Sequence, residues 1–313
     1  MMQAVIMAGG KGTRLVALTK DEIPKPMVPV AGKPLLLWQV ERLKENGITD
    51  IIMVIGHLGN KIREYFGDGE KFGVAIRYFE ETEPLGTAGS FYYLKDMIHG
   101  DRFVMMSGDL FFDIDFQRMI HFHEEKGAVA TLFVHPNGHP FDSDLLVLDH
   151  DDKITAFDSK HNVRNYWYEN CVNAGIFVFE KKICDYVPEP VKRNLENDVI
   201  KGMLEAGEPI YGYCSPEYVK DVGTVERVNQ TLADIERGVI AGKCLKNKQR
   251  CIFMDRDGTI NQYKGLVYKG EDFTLEDCAV DAIRKINQSG RLGIVITNQP
   301  VVARGLCEIE DVE

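Results

Sequence analysis

Residues 3–15 read Gln-Ala-Val-Ile-Met-Ala-Gly-Gly-Lys-Gly-Thr-Arg-Leu, an apolar run followed at once by a loop of glycine and cationic residues. The run Gln3–Met7 is typical of a buried strand that enters a turn. Glycine lets a backbone approach a phosphate closely, successive N–H groups bind anions, and Lys11 and Arg14 add positive charge. A tight strand-to-helix turn without any ligand explains the same glycines equally well. The loop alone leaves both interpretations open.

The residues that follow alternate between helical and strand-like patterns. Their spacing predicts helices over 34–46, 60–66, 89–97 and 116–126, and strands over 50–55, 74–79, 103–106 and 128–134. This alternation favours an α/β fold, a mostly parallel sheet with helices on both faces. Strand-like runs over 145–148, 154–157 and 174–179 either extend that sheet or form a small lobe, and 224–237 is predicted to be a helix. Ligands of such sheets bind where strands end in turns, and both Gly9-Gly10 and Gly108-Asp109 occupy such ends.

Composition limits the classes of function. The 313 residues include 48 acidic and 37 basic ones, a net charge of −11. This charge argues against a general binder of nucleic acid or of anionic membranes, which needs a basic surface. No apolar run approaches the ~20 residues of a membrane span, and the brief apolar start lacks the charged region of a signal peptide. Seven scattered cysteines without a C-x-x-C pair indicate reduced thiols in a cytoplasmic protein.

Two histidines, His121 and His123, fall within the predicted helix 116–126. Because residues two apart on a helix face different directions, a shared metal is not expected. We interpret this stretch as a solvated helix face.

Six short motifs occur in order along the first three quarters of the chain. They are Gly9-Gly10-x-Gly12-Thr13-Arg14-Leu15, Pro24-Lys25-Pro26-Met27, Gly86-Thr87-Ala88-Gly89, Gly108-Asp109, Asn173-Ala174-Gly175 and Asp221-Val222-Gly223-Thr224. Through them residues 1–237 resemble the sugar-phosphate nucleotidyltransferases. The resemblance implies a Rossmann-like mixed, mostly parallel sheet of the nucleotidyltransferase type.

The chemistry that the resemblance implies is attack by a sugar 1-phosphate oxygen on the α-phosphorus of a nucleoside triphosphate. Both reactants are polyanions, so the barrier is largely electrostatic and positional. Arg14 and Lys25 match the catalytic cations of the family, and Asp109 and Asp221 match its metal ligands. Carboxylate oxygens suit a hard cation such as Mg²⁺, which is the cofactor we expect. The attacking oxygen is already ionised near neutral pH, so no general base is assigned.

The resemblance also implies two groups of binding residues. The nucleotide-binding residues are expected to be Ala8, Gly9, Gly10, Gly12, Thr13, Gly86, Thr87 and Ala88. The sugar-phosphate-binding residues are expected to be Lys160, Asn173, Gly175 and Glu196. Around Lys160 the chain departs from the family, because it reads Ser159-Lys160-His161 where Glu-Lys-Pro is usual. An ordinary surface lysine is the alternative at that position.

A second strand-and-turn pattern begins after a predicted linker over 238–249. The sequence Asp255-Arg256-Asp257-Gly258-Thr259 resembles the first motif of haloacid-dehalogenase-like phosphatases, and Thr297-Asn298 resembles the second. The resemblance implies that Asp255 is a nucleophile, Asp257 a general acid and base, and that Thr297 and Asn298 belong to a phosphate site. Residues 250–313 lack the third and fourth motifs, so we expect an incomplete domain without phosphatase activity.

Together the two resemblances suggest a substrate. The phosphatase-like part is similar to the heptose bisphosphate branch, and the first part looks most like guanylyltransferases for D-glycero-α-D-manno-heptose 1-phosphate and mannose 1-phosphate. We therefore expect GTP and the heptose 1-phosphate as substrates, giving GDP-heptose for surface polysaccharide. Mannose 1-phosphate, another sugar 1-phosphate, a non-catalytic binding protein and a pathway scaffold are the alternatives.

Overall fold

A computed structural model describes residues 2–10, 15–309 and 311–312, and it divides the chain into two units. The first unit extends to Glu236 and the second begins at Arg237. The strands of the first unit are β1 (Gln3–Met7), β2 (Pro29–Val30), β3 (Lys33–Pro34), β4 (Asp50–Ile55), β5 (Ala75–Glu80), β6 (Arg102–Ser107), β7 (Leu110–Asp113), β8 (Ala130–His135), β9 (Leu145–Leu148), β10 (Ile154–Asp158), β11 (Val172–Glu180), β12 (Ile210–Cys214) and β13 (Tyr218–Asp221). Its α-helices are α1 (Val16–Thr19), α2 (Leu35–Glu45), α3 (Gly59–Phe66), α4 (Phe91–Met97), α5 (Phe116–Glu125), α6 (Lys201–Glu205) and α7 (Val225–Glu236).

Short helical turns connect several of these elements. The 3₁₀ turns span Lys25–Met27, Glu70–Phe72, Pro140–Asp142 and Lys181–Tyr186, and a π-helical segment, Leu195–Ile200, runs directly into α6.

The main sheet of the first unit has the order β10-β9-β11-β6-β1-β4-β5, with β8 beside β11 and β12 beside β8. Strand β1 pairs in parallel with β4 and β6, and β4 pairs in parallel with β5. Strand β11 is antiparallel to β6, β8 and β9. The predicted mixed α/β sheet is confirmed, and the strand-like runs after residue 142 extend it.

Successive residues of β1 pack on opposite faces of this sheet. Ala4 and Ile6 join a core formed with α2, α3 and α5, whereas Val5 joins a second core formed with α4 and α6. All three residues are fully buried. A sheet covered on both faces needs such continuously apolar central strands. The carboxyl ends of β1, β4 and β6 therefore come together at one edge, where the loops can form a site.

Two local predictions need correction. His123 on α5 is 1% exposed, because its ring packs inward and Nδ1 lies 2.8 Å from the Thr131 hydroxyl on β8. Both histidines were expected on a solvated helix face, and only His121 of the two is exposed. Strand β7 was also missed, and it forms a separate antiparallel ladder with β13.

The second unit contains a pair of parallel strands, β14 (Cys251–Met254) and β15 (Leu292–Val295), with helices α8 (Val239–Lys243) and α9 (Ala279–Gln288) and a 3₁₀ turn over Gly270–Asp272. Helix α8 lies within the predicted linker. A linker was expected there because apolar residues are few, yet Ile240 is buried. Across the described parts of both units, no helix is long and apolar enough to cross a membrane.

Candidate active site

Residues 8–10, the described part of the glycine loop after β1, lie against the ends of the neighbouring strands. Ala8 is buried and donates its N–H to Val54 of β4 at 2.8 Å. A Cβ on Gly9 would lie 2.9 Å from a carboxylate oxygen of Glu81 and 3.4 Å from the Gly56 nitrogen, so a larger residue here would have to displace the Glu81 side chain. Ala8, Gly9 and Gly10 therefore occupy the expected end of the sheet. The predicted residues Gly12, Thr13 and Arg14 lie outside the described residues, as does Lys11.

Three charged residues predicted from separate motifs meet at this edge. Lys25 lies in the 3₁₀ turn Lys25–Met27, and its Nζ donates a hydrogen bond to Oδ2 of Asp109. The same Nζ is 3.8 Å from Oδ1 of Asp221. Burial tends to raise the pKa of Asp109, but Lys25 and a 2.7 Å hydrogen bond from Ser107 outweigh it and lower the pKa. The Asp109 carboxylate is thus kept ionised beside the Lys25 ammonium group.

The ladder of β7 and β13 brings the two aspartates together. Asp221 ends β13 opposite Leu110 of β7, and the Val222 N–H donates to the Asp109 carbonyl oxygen at 2.8 Å. Arg227 of α7 donates to Oδ2 of Asp221 at 2.6 Å. The other oxygen, Oδ1, is buried and accepts no hydrogen bond in the part of the chain that the structure describes. Ser107 and Arg227 orient the carboxylates, although neither was singled out from the sequence.

The carboxylate pair fits a hard divalent cation. Asp109 and Asp221 both present oxygen ligands, and the buried Oδ1 of Asp221 has a free lone pair toward Lys25. Among the described residues no group of three or more metal-ligating side chains occurs. Mg²⁺ commonly takes one or two protein carboxylates and completes its coordination with water and substrate phosphate. Two aspartates are enough for that mode of binding.

The turn at residues 85–89 packs against a distant backbone segment. A Cβ on Gly86 would overlap the Arg193 carbonyl oxygen, and this same oxygen accepts hydrogen bonds from the N–H groups of Thr87 at 3.0 Å and Ala88 at 3.2 Å. The Thr87 hydroxyl accepts from the Leu195 N–H at 2.7 Å. The N–H groups of Thr87 and Ala88, two of the expected nucleotide-binding residues, are therefore already engaged within the protein.

Glu81, at the end of β5, was not predicted from the sequence. One carboxylate oxygen lies beside Gly9, and the other, Oε1, is buried without a hydrogen-bond partner in the described structure. Burial raises the pKa of Glu81, and the Leu85 N–H opposes that rise. Glu81 thus lies between Gly9 and the 85–89 turn, with one carboxylate oxygen that still has the capacity to accept a hydrogen bond. No local sequence motif marks it as a site residue.

The predicted sugar-side residues also come together. Asn173 of β11 donates to Glu196 at 3.4 Å and accepts from the Gly175 N–H at 3.0 Å. Burial raises the pKa of Glu196, and the carboxylate of Asp144 adds to that rise. Lys160 is tied to Asp144 through its backbone N–H at 2.9 Å, with Nζ 3.9 Å from the same carboxylate. Asp144 was not predicted.

The phosphatase-like residues of the second unit are more open. Asp255 is exposed and accepts from the Arg256 N–H at 2.7 Å. Two of the predicted residues, Asp257 and Thr297, are connected by Gln299, whose amide donates to the Asp257 carboxylate and to the Thr297 hydroxyl, each at 2.8 Å. Asn298 lies between Thr297 and Gln299 in the chain after β15.

Comparisons with known proteins match most of the chain to one family. Residues 3–238 match the family model described as "Nucleotidyl transferase". The chain is 33% identical to a UTP–glucose-1-phosphate uridylyltransferase of Synechocystis, over 79% of this chain and 66% of that protein. It is 32% identical to a mannose-1-phosphate guanylyltransferase of Mycobacterium tuberculosis, over 78% of this chain and 67% of that one. The chain thus spans about two thirds of the length of these curated relatives.

Among solved structures, HddC from Yersinia pseudotuberculosis, crystallised in complex with GMP-PN, resembles this chain with a TM-score of 0.64. The two sequences are 25% identical, and the match covers 75% of this chain and all of that one.

Proposed function

The chain belongs to the nucleotidyl transferase family, and from that premise we propose that it joins a nucleoside triphosphate to a sugar 1-phosphate. The contact of Lys25 with both Asp109 and Asp221 supports this proposal. A sugar-phosphate oxygen forms a bond to the α-phosphorus, and the bond from that phosphorus to the bridging β-phosphate oxygen breaks. Pyrophosphate leaves with the electron pair, and no proton has to be removed from the ionised nucleophile.

Each charged residue has a role in this reaction. The Lys25 ammonium neutralises phosphate charge as the transition state forms, and Arg14 is proposed to do the same from the glycine loop. Asp109 and Asp221 would hold Mg²⁺, which supplies charge neutralisation and orientation of the triphosphate. Ser107 and Arg227 keep the two carboxylates in position. The triphosphate is placed against Ala8, Gly9 and Gly10, where the backbone is open to close approach.

For the base we favour guanine, and Glu81 is the observation that supports it. The Watson–Crick edge of guanine presents two neighbouring donors, N1–H and N2–H, which an ionised carboxylate can accept together. Uracil and thymine offer one donor between two acceptors, and the acceptors would be repelled. The similar structure of HddC was solved in complex with GMP-PN, which agrees with this choice. A base that offers no donor to the carboxylate should bind much more weakly, because the buried lone pairs of the carboxylate then remain unpaired.

Substitution of Glu81 tests the base assignment. We expect Glu81→Gln to lower kcat/KM for GTP by about 10- to 100-fold, because an amide presents one donor and one acceptor. The same amide complements uracil, so the ratio of GTP to UTP turnover should move toward UTP. Glu80→Gln is the matched control, since Glu80 is the preceding residue and pairs with Arg63. Pyrophosphate release across GTP, UTP, CTP and dTTP measures the ratio; a wild-type preference for another base would contradict the assignment.

For the sugar we propose D-glycero-α-D-manno-heptose 1-phosphate, giving GDP-heptose for surface polysaccharide. The support is the resemblance of residues 250–313 to the heptose bisphosphate branch of phosphatases, a part that we propose is inactive in this chain. Mannose 1-phosphate is the second candidate, because several relatives are mannose-1-phosphate guanylyltransferases. Faster pyrophosphate release with mannose 1-phosphate than with the heptose 1-phosphate would identify mannose 1-phosphate as the substrate. We place the reaction in the cytoplasm, where nucleoside triphosphates are available.

A further inference from the structure

The sugar side of the site contains a carboxylate that the proposed reaction does not use. Asp144 directly precedes β9, whose Leu145 is paired with Val172 of β11 in an antiparallel ladder. The Leu146 N–H donates to the Cys171 carbonyl oxygen at 2.8 Å, which extends the same register. Continued by one residue beyond β9, this register places Asp144 opposite Asn173.

Residues directly opposite each other in an antiparallel pair project from the same face of the sheet. Asp144 consequently shares a face with Asn173, whose amide contacts Glu196. The electrostatic effect of Asp144 on Glu196 agrees with this proximity. Two carboxylates and an amide thus line one side of the site.

A buried arginine holds this arrangement in place. The Arg164 side chain is 5% exposed and forms an ion pair with Asp158 at the end of β10 at 2.8 Å. It also donates to the carbonyl oxygens of Pro140 and Ser143, each at 2.8 Å. Arg164 therefore links Ser143, which precedes Asp144, to the end of β10, which precedes Lys160 in the chain.

Asp144 itself is available to a ligand. Its side chain is 58% exposed, although one oxygen accepts from the Lys160 N–H. The Lys160 ammonium, 3.9 Å away, is the cation assigned to the sugar phosphate. When that ammonium engages a phosphate, the second carboxylate oxygen is free to accept a hydrogen bond.

We propose that Asp144 is a sugar-specificity residue: with Glu196 it accepts hydrogen bonds from neighbouring sugar hydroxyls, and it excludes sugars that carry their own carboxylate. This inference rests on the proposed function and narrows its substrate class to neutral, polyhydroxylated sugar 1-phosphates, as opposed to uronic acid 1-phosphates. Like charges placed together in a partly desolvated site repel each other, whereas hydroxyl donors satisfy both carboxylates.

The test compares one neutral substrate with its acidic counterpart. Mannose 1-phosphate and mannuronic acid 1-phosphate differ by one carboxylate, and kcat/KM for each is measured by pyrophosphate release at saturating GTP. We expect wild type to prefer the neutral sugar by about 100-fold or more, and Asp144→Asn to reduce this preference at least tenfold. We expect Asp144→Ala to raise KM for mannose 1-phosphate about tenfold, with KM for GTP within about twofold of wild type. Glu205→Gln, an exposed carboxylate on α6, is the control and should match wild type.

The ratio of kcat/KM for the neutral sugar to kcat/KM for the acidic sugar distinguishes a specificity role of Asp144 from a merely structural one. If Asp144 only positions Lys160, both sugar phosphates weaken alike, the preference stays constant, and the proposal is overturned. Loss of wild-type turnover with every nucleotide and sugar would contradict the proposed reaction instead. In that case calorimetric binding of the two sugar phosphates, with α,β-methylene GTP present, decides the role of Asp144. Equal affinities for wild type and Asp144→Asn would then refute it.

Discussion

Strands β1 and β14 each lead into a turn that carries charged residues, but their surroundings differ. Strand β1 lies between β4 and β6, and its central residues are fully buried. Strand β14 pairs with β15 alone among the described residues, and its Phe253 is 61% exposed. In the first unit, Lys25 contacts both Asp109 and Asp221. In the second unit, the Asp255 that follows β14 is exposed.

This difference shows what a short motif requires from the rest of the fold. Both turns have residue types suited to phosphate chemistry. In the first, Lys25 pairs with two aspartates from distant elements. In the second, Gln299 donates to Asp257, and Asp255 remains exposed. Parallel strands are normally covered on both faces, and β14 and β15 show apolar residues to solvent instead. We therefore expect substitutions in the first unit to have large effects and equivalent ones in the second to have small effects.

The largest contrast should appear in turnover. Lys25→Ala removes the cation shared by Asp109 and Asp221, so we expect pyrophosphate release to fall by about 100- to 1000-fold. Asp255→Asn in the second unit should leave the rate within about twofold of wild type.

Lys95→Ala, which removes an exposed lysine paired with Asp185, is the control for the loss of a charge. Circular dichroism would verify that each variant is folded. Retention of more than a tenth of wild-type turnover in Lys25→Ala would remove this residue from the catalytic centre.

The next contrast concerns stability. Phe103 on β6 is fully buried against Phe91 and Phe179, so Phe103→Ala should cost about 3–5 kcal/mol of unfolding free energy. Phe253→Ala on β14 should cost less than about 1 kcal/mol, because little surface is uncovered.

Urea unfolding followed by circular dichroism measures both variants. Tryptophan fluorescence isolates the first unit, since Trp38 and Trp167 both lie within it. Comparable losses for the two substitutions would mean that the second unit has a core of its own around β14.

The smallest contrast is a dependence of stability on pH. Burial lowers the pKa of His123 to about 4, below the ordinary value near 6.5. Between these values the unfolded chain binds the proton and the folded chain does not, so stability falls as pH decreases from about 6.5 to 4. The effect is of order 1–3 kcal/mol and belongs to the first unit, because every histidine lies within residues 57–161.

His123→Gln should reduce the fall in stability between pH 6.5 and 4. The urea midpoint of unfolding, followed by tryptophan fluorescence at each pH, measures this dependence. His121→Gln, an exposed position on the same helix, should preserve it. The raised pKa of Glu180, which lies 3.3 Å from His123, acts in the opposite direction, so the difference between the two variants is the informative quantity. Identical slopes would show that His123 titrates normally.

The sequence allowed much of the central sheet to be predicted. Strand 50–55 has the expected limits, and the runs that became β1, β5 and β6 begin within a residue of their observed starts. Apolar periodicity is a local property, so it can be recognised without knowing which strands pair. The residues Lys25, Asp109 and Asp221 were identified by motif, and the structure brings them into contact.

Features that depend on distant contacts were not predictable in this way. Strand β7 exists because β13 pairs with it, more than a hundred residues later. The Thr87 and Ala88 N–H groups are engaged because Arg193 lies beside them. Glu81 and Asp144 have no local signature, and only the folded chain shows which backbone segments each one approaches.

The β7–β13 ladder also sets when the site can form during synthesis. Lys25 and Asp109 leave the ribosome early, but Asp221 follows Lys25 by about 200 residues. At a translation rate of about 5–20 residues per second, that interval is roughly 10 to 40 s. A nascent chain that ends before β13 has the lysine and the first aspartate without the second. The proposed catalytic centre is consequently one of the last parts of the first unit to be completed, after most of the sheet that supports it has been made.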